Sequence, residues 1–167
     1  GMPGVGKSTV GAAFARKAEL EYWDLDQHIE AAQGRDIETI INAEGEKAFR
    51  EFEERTLWTL LDENAGVIAL GGGALLEPGY RTKVRSRSTV ITLWTSAFEL
   101  ETRLRAEESA KRPLLDVNQD MMMQLDTLLR KRERHYRDVD MVINVEKLSI
   151  EEITSRLEQH LAQGMAA

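Results

Sequence analysis

The chain contains no cysteine, which excludes disulfides and thiolate metal sites. It has no apolar run near the roughly 20 residues that a membrane span needs. Basic charge is also short. With 22 Lys and Arg against 29 Asp and Glu, the formal net charge is −7, so binding to nucleic acid or to an anionic membrane surface is not expected. His28, His135 and His160 stand in no spacing that would build a zinc site. Repeats, low-complexity tracts and linkers are missing too. The 167 residues are therefore expected to form one domain, 1–167, long enough to bury about two-thirds of the unfolded surface.

What the chain does have stands at its beginning. Gly1-Met2-Pro3-Gly4-Val5-Gly6-Lys7-Ser8-Thr9 matches the phosphate-binding loop G-x-x-x-x-G-K-[ST] without substitution. Its glycines let the backbone curl so that N–H groups face phosphate oxygens. Lys7 would reach the β- and γ-phosphates, the Ser8 hydroxyl would ligate Mg²⁺, and a helix starting near Lys7 would aim the positive end of its dipole at the same anion. Such a loop ordinarily follows a buried strand, and none precedes Gly1. The expectation is a truncated chain: either the numbering starts after further residues, or the protein as given lacks a central strand and exposes two sheet edges.

Downstream, strands alternate with helices. Strands are expected at 20–24, 67–70, 89–94 and 141–145, and helices at 8–18, 27–33, 37–42, 45–64, 80–87, from Ser96 for about ten residues, at 119–136, and from Ser149. The segment 106–117, around Arg112-Pro113, is expected to be a mobile loop. This alternation implies an α/β fold with a parallel sheet between helical layers, a three-layer α/β/α arrangement. In such sheets ligands collect beyond the carboxyl ends of strands. That rule groups the loop with Asp24-Leu25-Asp26 and Gly71-Gly72-Gly73.

Asp24 and Asp26 stand two residues apart at a strand end, so both carboxylates are expected to enter one cleft. One suits a metal or a metal-bound water and the other a substrate hydroxyl, which is the division of labour that phosphoryl transfer requires; the alternative is that Asp26 merely caps a helix. The triple glycine contributes no packing and is read as a close approach of backbone to ligand, the alternative being a tight turn. Arg130, Lys131, Arg132, Arg134 and Arg137 crowd one helical segment and cannot share a face; most are read as solvated, one or two as aimed at an anion. Met121-Met122-Met123 and the tryptophans are assigned to packing.

Taken together, these residues resemble a known family, the shikimate kinases of the nucleoside-monophosphate-kinase-like P-loop group. The resemblance is carried by the loop, Asp24-Leu25-Asp26 with Ile29-Glu30, Gly34-Arg35-Asp36-Ile37, Gly45-Glu46 with Phe49-Arg50 and Glu53, Gly71-Gly72-Gly73-Ala74, Arg112-Pro113-Leu114-Leu115, and Arg132 four residues before Tyr136. It implies transfer of the ATP γ-phosphate to the 3-hydroxyl of shikimate, with Mg²⁺. By resemblance Asp24 would hold Mg²⁺, while Asp26 would bind the reacting hydroxyl and act as base. Arg50 and Arg132 would pair with the substrate carboxylate, and Gly71, Gly72 and Gly73 would offer backbone N–H groups. Arg112 would close over the transferring phosphate, and Arg105 would stack on adenine. A substrate-binding segment over about 25–60 and a lid over about 106–118 are implied.

For Arg50 the plainer alternative is an intrahelical ion pair, and for Arg112 a solvated loop arginine. A cytoplasmic monomer acting on shikimate and ATP is expected. The competing functions are another small-molecule P-loop kinase, such as a gluconate kinase, and a nucleotide-binding module without catalysis.

Overall fold

The computed structural model describes residues 1–63, 66–106 and 120–164. Its elements in chain order are α1 (Lys7–Lys17), β1 (Tyr22–Asp24), α2 (Leu25–Gln33), α3 (Ile37–Glu44), α4 (Glu46–Asp62), β2 (Val67–Ala69), α5 (Pro78–Arg85), β3 (Ile91–Trp94), α6 (Ala97–Ala106), α7 (Met121–Arg137), β4 (Met141–Asn144) and α8 (Ile150–Gly164). The order is the expected one. The mobile loop expected at 106–117 lies, apart from its first residue, outside the described residues.

The residues group into two units. The first comprises Gly1–Gly6 and Leu75–Lys147. Within it β3 pairs in parallel with β4, Ile91 opposite Met141 through Trp94 opposite Asn144. The core of this unit is built from Val5, Leu93, Leu100, Leu104, Leu125, Tyr136, Ile143 and Val145, all buried. The second comprises Lys7–Ala74 and Leu148–Ala167. There β1 pairs in parallel with β2, Tyr22 opposite Val67 through Asp24 opposite Ala69, and Phe14, Leu25, Ile29, Ile40, Leu57 and Leu60 are buried. All pairing among the described residues is parallel, and it forms two two-stranded sheets.

Element boundaries follow their caps. Asp24 caps α2, its Oδ1 accepting from the Gln27 backbone N–H at 3.3 Å, so the helix begins at Leu25 rather than Gln27. Asp26 therefore lies in the first turn and is not the cap. Glu77 caps α5 by accepting from the backbone N–H groups of Gly79 and Tyr80, with Pro78 at the first helical position. This starts the helix two residues before the expected Tyr80, as a fixed φ and a missing N–H allow. Ser149 and Glu152 form the reciprocal box at the start of α8, at 2.7 and 3.2 Å. Met123 is 71% exposed, which corrects its assignment to packing.

Candidate functional site

In the first unit, two non-glycine positions of the phosphate loop, Met2 and Val5, prove to be anchors, while Pro3 is exposed. Met2 and Val5 are 3% and 1% exposed, and the Tyr136 hydroxyl lies 3.8 Å from Met2 Sδ. Gly4 and Gly6 take φ of 77° and 98°, where a side chain would be strained. A Cβ at Gly4 would also stand 2.9 Å from Leu104 Cδ2. Arg103 Nη1 donates to the Val5 carbonyl at 3.2 Å while its Nε donates to Glu99 at 2.8 Å. Sequence reasoning missed Arg103; nothing in its local pattern distinguishes it from an ordinary i,i+4 ion-pair partner.

The second unit holds the carboxylates. Lys7 opens α1 and places Ser8 in its first turn. The Ser8 hydroxyl donates to Asp24 Oδ2 at 2.7 Å. Asp24 ends β1 and Asp26 follows in α2, so the strand-to-helix junction brings both carboxylates to one end of the strand pair. Asp26 Oδ1 is buried without a hydrogen-bond partner. Burial first, and then the neighbouring Asp24 charge, push the Asp26 carboxyl above its ordinary range, against the pull of Lys7 and Arg50.

Arg50 is held from two sides in α4, Nη1 donating to Glu53 Oε2 at 2.7 Å and Nη2 to Glu46 Oε1 at 3.1 Å. The ion-pair alternative is thus present. It is not an ordinary surface pair, because Glu53 is 2% exposed. The triple glycine runs against this group. A Cβ on Gly71 would fall 2.8 Å from Asp26 Oδ1 and 3.3 Å from Glu53 Oε1, and one on Gly73 would fall 2.5 Å from Arg50 Nη2. Asp26, Arg50, Glu53 and the glycines therefore form one cluster: two acids, a guanidinium and a backbone without side chains.

In the sequence Glu53 stands out only as part of a pattern. Its spacing could have assigned it a role, since it falls four residues from both Phe49 and Leu57 in the buried stripe of α4.

Asp24 and Ser8 present two hard oxygens in contact, a donor set that suits Mg²⁺. Among the described residues no group of three or more acidic, histidine or cysteine side chains could hold a metal. Ser8 and Asp24 would hold such a cation together with phosphate and water oxygens.

The remaining expected residues distribute as follows. Thr9 lies in the exposed part of α1, and Pro3 in the loop. Arg105, on α6, donates to Glu101 Oε1 at 3.1 and 2.7 Å and is otherwise mostly exposed. Arg132 belongs to the first unit, on α7, and hydrogen-bonds Tyr136. Of its basic neighbours, Arg130 and Arg137 are engaged by Asp126 and Glu133 one turn earlier, in keeping with a mostly solvated face. Gly72 lies between the two close-approach glycines. Arg112, Pro113 and the rest of the expected lid lie outside the described residues.

A family model described as shikimate kinase matches residues 3–162. A shikimate kinase from Legionella pneumophila (strain Corby) is 35% identical over 165 residues, spanning 96% of this chain and 91% of the relative. The solved structure of a shikimate kinase from Acinetobacter baumannii in complex with shikimate aligns with a TM-score of 0.87 at 32% identity, over 98% of this chain and 90% of that one. A gluconokinase from Sinorhizobium meliloti 1021 aligns at 0.64 and 19% identity, over 97% and 88%, a likeness of fold alone.

Proposed function

Since the chain belongs to the shikimate kinase family, we propose that Asp26, Arg50 and the glycines from Gly71 to Gly73 form its shikimate pocket and that Lys7, Ser8 and Asp24 serve ATP and Mg²⁺. The reaction is transfer of the ATP γ-phosphate to the 3-hydroxyl of shikimate, on a P-loop kinase of the nucleoside-monophosphate-kinase-like α/β/α class. The observation that carries the assignment is Asp26 Oδ1, a buried acceptor with no partner, facing a backbone that leaves no room for a side chain. An unpaired buried acceptor is costly unless a ligand completes it.

In this reading Asp26 accepts the hydrogen bond of the 3-hydroxyl and takes its proton as the oxygen attacks phosphorus. Its raised ionisation makes it a better base than an ordinary surface carboxylate. Arg50 and Arg132 bind the substrate carboxylate through the guanidinium fork. Lys7 and Arg112 neutralise charge on the transferring phosphoryl oxygens, and Arg105 exchanges its Glu101 contact for the adenine face. Mg²⁺, when held by Ser8 and Asp24, offsets the charge of the phosphates. The loop from Gly1 to Thr9, Pro3 included, cradles those phosphates. The enzyme acts as a monomer in the cytoplasm, with shikimate and ATP as its ligands.

The test is coupled ADP release with shikimate offered against gluconate. Turnover with gluconate and none with shikimate would overturn the assignment. Asp26→Asn should cut turnover by about a hundredfold or more while ATP binding holds, whereas Lys7→Ala should damage both. Equal loss of ATP affinity in the two variants would refute the division of roles.

A further inference from the structure

The Asp24 carboxylate accepts one hydrogen bond that the assignment above does not use. Besides the Ser8 hydroxyl at 2.7 Å and the Gln27 N–H at 3.3 Å, it accepts from the Tyr22 phenol, which reaches Oδ2 at 3.3 Å. Ser8 and Tyr22 thus converge on the same oxygen. The phenol arrives there along β1: Tyr22 and Asp24 are two residues apart on a strand, so their side chains leave by the same face.

The ring has a prepared seat. Gly11 lies in the interior of α1, where glycine is a poor helix former. A Cβ there would stand 3.0 Å from Tyr22 Cε2 and 3.7 Å from Val67 Cγ1. The ring therefore fills the space that a side chain at Gly11 would need. α1, whose first turn carries Ser8, lies against the strand pair at this point.

We propose that Tyr22 is a positioning residue of the metal site, its phenol holding Asp24 Oδ2 in the orientation it shares with Ser8, with Gly11 providing the room. This rests on the reading of Ser8 and Asp24 as the metal pair. The chemistry is that of an outer-shell donor. A carboxylate oxygen fixed by two hydroxyl donors cannot rotate away, and a serine whose proton is committed to it keeps its lone pairs for a cation. Outer-shell partners of this kind set how well the ligand oxygens are pre-arranged, and their loss is felt in metal affinity.

The probe is Mn²⁺, its binding followed by electron paramagnetic resonance in the presence of ADP, beside thermal melting without metal. Tyr22→Phe keeps the ring and deletes only the hydroxyl. It should weaken Mn²⁺ binding about threefold to tenfold, with metal-free melting and metal-free ADP affinity unchanged. Gly11→Ala, which crowds the ring, should weaken Mn²⁺ binding when made alone and add nothing when combined with Tyr22→Phe. Wild-type Mn²⁺ affinity in Tyr22→Phe, with Asp24→Asn losing the ion, would overturn the role of Tyr22 and leave the metal pair standing. Wild-type affinity in Asp24→Asn as well would overturn both. Equal effects of Gly11→Ala with and without the Tyr22→Phe change would also count against the proposal, because the seat would then act without the hydroxyl.

Discussion

Glu53 accepts from Arg50 Nη1 at 2.7 Å from a position only 2% exposed, so the arginine's partner is more deeply buried than the arginine itself. Burial pushes the Glu53 carboxyl up and Arg50 pulls it down. The pair stands on adjacent turns of α4, with Glu53 in the apolar stripe and Arg50 at its margin. A lone carboxylate there would be costly, and the guanidinium is what makes it tolerable. In return the acid fixes the direction of the fork.

Glu53→Gln should therefore affect substrate affinity more than folding. The amide preserves shape and one acceptor but releases the charge-assisted bond that holds Arg50. The KM for shikimate is expected to rise about tenfold, the KM for ATP to stay level, and the melting temperature to move by only a few degrees. Steady-state kinetics with each substrate varied separately provides the check. An equal rise for both substrates would place Glu53 in a general structural role.

Gly71→Ala and Gly73→Ala should separate chemistry from binding. The new methyl at 71 would meet Asp26 Oδ1 at 2.8 Å, displacing the proposed base, whereas at 73 it would meet the Arg50 fork at 2.5 Å. A short helical-turn carboxylate has little room to give, while a guanidinium ends a long flexible side chain. Gly71→Ala should lower kcat about a hundredfold, as displacements near an ångström do. Gly73→Ala should mainly raise the KM for shikimate. Similar kcat losses in both would show that the two glycines do not face different partners.

Much of this site can be read in the sequence because its members are close along the chain or follow from strand ends. Lys7, Ser8, Asp24 and Asp26 sit where a strand or loop hands over to a helix, the triple glycine follows the end of β2, and local pattern marks such places. Arg103 and Tyr22 cannot be read in the same way. Each depends on which face of an element meets which neighbour, and an arginine or tyrosine carries no local mark of a partner nearly a hundred residues away or along a strand. The start of α2 escapes sequence reading for a related reason: Asp24 and Asp26 are both good caps, and only the backbone decides between them.

In the first unit, Arg81 is a buried guanidinium, 3% exposed, that donates to the Leu75 carbonyl at 2.8 Å and to Asp138 at 2.6 and 3.1 Å. Removing it as Arg81→Met should cost about 1–3 kcal/mol, since the part-buried Leu75 carbonyl loses its donor while Asp138 keeps Arg85 at 3.2 Å. The same network predicts an acid sensitivity. His135 faces Arg81 at 3.3 Å and Arg134 at 3.1 Å. Burial first, and then these cations, hold its ionisation below the ordinary histidine range. The unfolded chain then binds the proton more readily, so this contribution to stability is complete above about pH 6.5 and declines as pH falls through that value. Melting followed from about pH 8 to about pH 5 should show the decline, and His135→Asn should flatten it. An unchanged slope in the variant would exclude His135 as its source.

Arg103 gives the phosphate loop a support that the motif does not specify. Its Nη1 holds the Val5 carbonyl at 3.2 Å, and the next residue, Leu104, packs against Gly4 where a Cβ would come within 2.9 Å. Val5 is buried and cannot shift far, so the side chain and the carbonyl together restrain the turn on which Gly6 takes its positive φ. Arg103→Met keeps the aliphatic stem and removes the donor. If the loop serves nucleotide as proposed, the KM for ATP should rise about fivefold to tenfold, with the KM for shikimate unchanged. Backbone hydrogen exchange in 2–6 should quicken in the same variant. Arg103→Lys, which retains a cation but not the fork, should recover part of the ATP affinity. No recovery, or a loss shared by shikimate, would mean that Arg103 acts through α6 as a whole and not through the Val5 carbonyl.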